Sequence, residues 1–172
     1  MTIATAADYA DIRTLWNTHF ADRDQGGARP RQMTAVPPDW IIFIERAATG
    51  PKKLQAAIFT NVLASPRTGN VGCHLDMWMA DLSLSPLVAL RAARRVIKEA
   101  ARHYHDVLGY RIGWGVVYDT PRVRNLLDGY GRLYTYPDFT LIGTDPSTLV
   151  PDGRFLYYEG GAEIFPVLDA TT

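Results

Sequence analysis

Residues 70 to 118 constrain the fold most. A β-rich stretch from Asn70 to Met79, a turn, a long helical pattern from Pro86 to Tyr104 and a second β-rich stretch from Tyr110 to Tyr118 follow in that order. Two strands joined through a helix of this length form a right-handed β-α-β unit, and its strand ends and helix N-terminus are the usual place for an anionic ligand. Ser85 and Pro86 read as N-cap and first helical residue, because proline lacks an N–H that would have no partner there. The stripe predicted to face inward is Leu87, Leu90, Ala93, Ile97, Ala100, Ala101 and Tyr104. Arg91, Arg94, Arg95, Lys98 and Arg102 fall opposite and read as a solvated face.

The rest of the chain builds a sheet around this unit. Thr5 and Asp8 have capping-box spacing, and Tyr9, Ile12, Leu15, Trp16, His19 and Phe20 recur at helical spacing, which predicts a helix from Ala6 to Ala21. Residues 22 to 39, with Gly26-Gly27, Pro30 and Pro37-Pro38, sustain no regular element and read either as a lid or as a loose connection. Trp40 to Ala47 and Leu54 to Ala64 form a hairpin about Thr49-Gly50-Pro51. Ser65 to Gly69 turns the chain into the strand at Asn70, so three antiparallel strands precede the crossover. After Tyr118, Asp119-Thr120-Pro121 opens a short helix to Asp128, Gly129-Tyr130-Gly131 ends it, and a strand region runs from Arg132 to Gly143. Thr144 to Gly153 is expected to be loop and Phe155 to Tyr158 a short edge strand. In Tyr110 to Tyr118, Gly113 and Gly115 share a face and leave room for a second backbone or a flat ligand.

A chain of 172 residues holds one core comfortably and two poorly, so residues 1–158 are expected to form a single domain and 159–172 a tail. The 18 basic and 18 acidic side chains cancel, which gives no reason to expect nucleic acid as a partner. Cys73 is alone, so an intramolecular disulfide and a thiolate metal cluster are excluded and a reducing cytoplasm is the default. No apolar run reaches the length of a membrane span.

The strand before the crossover carries the most chemistry. Its period of two puts His74, Asp76 and Trp78 on one face, where a base and its orienting carboxylate could work together or simply satisfy each other. Cys73, Leu75, Met77 and Met79 point the other way, and apolar neighbours make Cys73 a core residue rather than a nucleophile. Tyr118 ends the next strand and is either a proton donor or an ordinary packing tyrosine. His103 and His105 diverge on a helix and cannot share an ion, so no metal site is expected.

The order of elements resembles the GNAT acyltransferases, an α/β (α+β) fold with a mixed sheet, over roughly residues 3 to 143. The stretch Val117 to Arg132, with Gly131 as the motif glycine, looks like the family's strand, short helix, glycine and closing strand. The resemblance implies an acyl-CoA-dependent N-acyltransferase that uses acetyl-CoA and an amine acceptor. It implies coenzyme contacts from Met79, Ala80, Ser85, Leu87 and Thr120, and chemistry from His74, Asp76 and Tyr118. The sequence departs from the family in three places. Ala80 to Leu87 has no glycine, Leu127 stands where a tyrosine commonly acts as general acid, and Asp119 or Thr120 replaces a coenzyme-holding asparagine. With this weakened loop, the stretch Asp119 to Gly131 followed by the strand ending Phe139-Thr140-Leu141-Ile142-Gly143 is similar to diverged GNAT-like bacteriophage proteins, including internal virion proteins of podophages. That likeness implies the alternative of a non-catalytic virion, ejection or host-interaction protein with a virion or host partner.

Overall fold

The structure is a computed structural model that describes residues 2–20, 32–49, 51–110, 112–118, 140–146 and 154–160. It forms two compact units: Met1–Asp24, Arg29–Asn61 and Leu75–His103 make the first, and Gln25–Ala28, Val62–His74 and Tyr104–Thr172 the second.

The first unit is built on a short antiparallel sheet, in which β1 (Thr2–Ile3) pairs with β2 (Ile41–Arg46) and β2 with β3 (Leu54–Ala64). β4 (Val71–Ala80) lies next to β3. The runs Ile41-Ile-Phe-Ile44 and Ala56-Ala-Ile-Phe59 are apolar without alternation because both faces of these strands are covered. Ile42 and Ile44 lie opposite Phe59 and Ala57, and together they pack with Ile12 and Leu15 of α1 (Tyr9–His19). Phe43 and Glu45 use the other face: Phe43 meets the ring of His103, and Glu45 pairs with Arg95 at 2.7 Å on α2 (Pro86–Arg102). A one-residue register shift at Glu45/Arg46 ends the regular pairing.

Helix α1 starts as the capping box predicts. Asp8 Oδ2 accepts from the Thr5 backbone N–H at 2.9 Å and the Thr5 hydroxyl at 3.0 Å. A single 3-10 turn, Ala6–Asp8, precedes the α-helix, which ends at His19 rather than Ala21. Asp8 and Asp11 each hold Arg46 of β2 at 2.7 Å. Of the 22–39 connection, the described part is held rather than loose. Asn17 accepts the Met33 N–H at 2.8 Å and donates to the Met33 carbonyl at 3.3 Å, and Val36 is buried in the core.

Helix α2 begins at Pro86 as expected, and of the predicted inner stripe Ala93, Ala100 and, just past the helix, Tyr104 are buried, while the buried face is shifted away from Leu87. Ala89, Ala92, Ala93, Val96 and Ala100 are buried, whereas Leu87 is 53 % exposed. Ala89, Ala92, Ala93 and Val96 form an i, i+3, i+4, i+7 stripe as regular as the one through the leucines. The buried stripe is the narrow one, with Leu90 and Ile97 half-buried at its border and Leu87 outside it. The last turn widens into a π-helical segment, His103–Val107, and stops at Gly109, whose φ of 75° favours glycine.

In the second unit β4 neighbours β5 (Gly113–Tyr118), and the Cys73 N–H donates to the Ile112 carbonyl at 2.8 Å. The starts of the two strands thus lie side by side, as a β-α-β crossover requires. β6 (Thr140–Pro146) and β7 (Arg154–Gly160) differ from expectation. Strand β7 is no edge: it pairs antiparallel with β5 on one side and β6 on the other. Thr144 to Pro146, expected as loop, belong to β6, and Glu159 and Gly160, expected to open a tail, belong to β7. The reason is the unbroken β-prone run Phe155-Leu-Tyr-Tyr158, which suits a strand paired on both sides better than an edge. The predicted short helix from Asp119 and its closing glycine lie outside the described residues.

Candidate functional site

The connection from β4 to α2 is residues Asp81 to Ser85, and one carboxylate shapes it. Asp81 is completely buried. Its Oδ1 accepts from the Ser83 N–H at 2.9 Å and the Ser83 hydroxyl at 2.5 Å, and lies 3.0 Å from His19 Nε2 at the end of α1. Its Oδ2 lies 2.6 Å from Lys53 Nζ, on the turn before β3. Burial alone would push the Asp81 carboxyl up, but the Lys53 ammonium and the Ser83 hydrogen bonds outweigh it and bring the pKa down to about 2. Sequence reading gave Asp81 no role. The available signal was Asp-x-Ser directly after a strand, a spacing at which the aspartate side chain closes a turn on its own backbone.

At the end of this connection, α2 presents bare backbone donors. The Ser85 side chain makes no capping hydrogen bond, although its carbonyl accepts the Ala89 N–H at 3.0 Å, and the first turn carries no acidic residue. Pro86 removes one donor and leaves the N–H groups of Leu87 and Val88 at the positive end of the helix dipole. Of the residues expected to contact a coenzyme, Met79 is buried in the core by its side chain, Ala80 is partly buried, Ser85 is the N-cap and Leu87 is exposed. Backbone is therefore what these positions offer. Thr120 lies outside the described residues.

In the second unit the His74 ring stacks on the Trp114 indole, with centroids 4.1 Å apart and planes 25° from parallel. The indole is held in turn by its Nε1–H, which donates to the Leu63 carbonyl at 3.1 Å. Asp76 is exposed on β4, and Tyr118 closes β5 in register with Phe155. Cys73 is buried and burial pushes its thiol far up, which suits a core residue and not a nucleophile. Among the described residues no three His, Cys, Asp or Glu side chains are grouped to hold a metal ion, and no helix is long and apolar enough to cross a membrane.

No family model matches the sequence, and no curated protein matches it. Solved structures do match in shape. A nourseothricin acetyltransferase aligns at TM-score 0.60 and 15% identity over 94% of this chain and 96% of its own. A spermidine N-acetyltransferase SpeG chimera from Vibrio cholerae and hSSAT aligns at 0.62 and 11% identity over 96% and 99%. An acetyltransferase assigned to the GNAT family from Desulfovibrio desulfuricans aligns at 0.52 and 11% over 72% and 70%. The fold is that of the GNAT N-acetyltransferases. Within the GNAT fold, β4, the Asp81–Ser85 connection, α2 and β5 are the crossover from which the sequence resemblance began, and the meander before it is β2 to β4. Identities this low show the fold alone.

Proposed function

We propose that the chain is an acyl-CoA-dependent N-acyltransferase, with acetyl-CoA as donor and an amine as acceptor. The observation that carries the reading is the uncapped start of α2 directly after β4 in a GNAT fold. Backbone N–H groups at Leu87 and Val88 would meet the coenzyme diphosphate, with Met79, Ala80 and Ser85 bordering it; the sequence resemblance adds Thr120 to the coenzyme contacts. In the reaction the amine nitrogen attacks the thioester carbonyl carbon, the C–S bond breaks, and the amine proton passes to a base while the thiolate leaves and is protonated. His74 is the base in this scheme, Asp76 its electrostatic support, and Tyr118 the proton donor to sulfur. The stack on Trp114 would hold the imidazole in one plane.

A thermal-shift titration with acetyl-CoA tests the reading. Saturable binding at a hundred times the dissociation constant stabilises by about 2.7 kcal/mol, a rise of several degrees. A flat response at millimolar coenzyme sinks it. If binding is present, His74→Ala should abolish most turnover and leave the coenzyme-induced shift in place.

A second reading is favoured by one observation: the connection has no glycine, and Pro86 occupies the helix start. In that reading the chain is a non-catalytic bacteriophage protein on the same fold, a virion or host-interaction component. Absence from purified virions together with turnover on an amine would exclude it.

A further inference from the structure

Phosphate-binding connections commonly use glycine to hold backbone close to an anion, and this one has none. Its shape is set instead from a single buried group. The Asp81 carboxylate collects Ser83 from within the connection, His19 from the end of α1 and Lys53 from the turn before β3, at 2.5 to 3.0 Å. The backbone adds two ties: the Asp81 N–H donates to the Gln55 carbonyl at 2.8 Å, and the Leu84 N–H to the Asp81 carbonyl at 3.2 Å. All these groups belong to the first unit.

We infer that Asp81 is a positioning residue that fixes the conformation of residues 81–86 and, through it, the direction of the first α2 backbone donors. Lys53 has a second role, because its ammonium cancels the carboxylate and keeps the connection from repelling an anion. Its side chain is 64 % exposed, so this cancellation is sensitive to salt. The effect on coenzyme affinity rests on the acyltransferase reading; the positioning itself does not.

The test uses the full chain and four variants: Asp81→Ala, Asp81→Asn, Ser83→Ala and Lys53→Gln. Amide hydrogen exchange at Ser83, Leu84 and Ala89, whose N–H groups are hydrogen-bonded, reads the connection directly, and calorimetry with acetyl-CoA reads its consequence. Asp81→Ala should speed exchange at these amides by about tenfold or more and weaken acetyl-CoA by a similar factor, because a disordered connection must be ordered on binding. Asp81→Asn keeps an acceptor for Ser83 and should recover much of the protection. Lys53→Gln should weaken acetyl-CoA most at low salt while exchange at Ser83 changes less. In steady state the KM for acetyl-CoA should rise more than kcat falls, which a general loss of stability would not produce. Unchanged exchange in both Asp81→Ala and Ser83→Ala overturns the inference. If Asp81→Ala does not fold, Ser83→Ala and Lys53→Gln decide it. A wild-type chain that binds no acetyl-CoA overturns the acyltransferase reading and the affinity claim, and the exchange data still decide the positioning.

Discussion

Replacing Gly72 by alanine is the sharpest probe of the crossover. A Cβ at this position would stand 2.1 Å from the Ile112 carbonyl oxygen, 2.9 Å from its carbon and 3.1 Å from the Ile112 Cβ, while ordinary contact begins near 3.4 Å. The nearest atom is backbone, so no side chain can rotate away; β4 and the Ile112 segment must separate by roughly an ångström. That movement breaks the neighbouring hydrogen bond from Cys73 N–H to Ile112, now 2.8 Å, at a cost of about 1 kcal/mol. Displacing packed strands adds about 1–3 kcal/mol, and the reduced freedom of alanine in the unfolded chain returns about 0.4–1. The net expectation is a destabilisation of about 2 kcal/mol. Urea unfolding should show it as a lower midpoint at unchanged slope, and the Cys73 amide should lose protection from exchange. A variant whose midpoint and Cys73 protection match those of the parent would refute the close approach of these two backbones.

Four further outcomes are expected. Asp81 has its pKa depressed from 3.8 to about 2, so its contribution is complete above the ordinary carboxylate value and is lost as pH falls through the folded one; stability should drop by about 2 kcal/mol between roughly pH 4 and pH 2, and Asp81→Asn should flatten that limb of an acid titration. Ala92→Leu should destabilise by about 1–3 kcal/mol because Ala92 is buried, whereas Leu87→Ala should change denaturant midpoints by under about 0.5 kcal/mol; the opposite ranking would restore the leucine stripe as the inner face. Asn17→Ala strips Met33 of both backbone partners and should cost about 1–2 kcal/mol, with faster exchange at the Met33 amide. Deleting residues 154–160 leaves β5 and β6 without their shared neighbour and should lower solubility, measurable as increased light scattering at equal concentration.

What could be read from the chain was whatever local chemistry dictates. The capping box at Thr5 and Asp8, the Ser85-Pro86 helix start and the apolar runs of β2 and β3 each depend on a few adjacent residues, and each is found where those residues place it. What could not be read depends on partners far along the sequence. The inner face of α2 is chosen between two apolar stripes by what the sheet admits, and Phe43 and Glu45 lie some 40 to 50 residues before it. The same holds for Gly72. Nothing local to Gly72 marks it, and its missing Cβ leaves room for the Ile112 carbonyl, which lies forty residues further along the chain. Asp81 is the clearest case at the candidate site. Its local half, the turn onto Ser83, is written in Asp-x-Ser, whereas its links to His19 and Lys53 exist only once α1 and the hairpin are in place.

The position of β7 bears on how the chain is made. On the ribosome β5 and then β6 emerge before β7, and β7 is the strand that lies between them. While synthesis passes through the segment between β6 and β7, the edge of β5 has to wait. In that interval β5 and β6 are free to pair with each other, and any such pairing has to be undone before β7 can enter. A translational pause placed just after β6 would lengthen that exposure, and one placed after β7 has left the exit tunnel would not.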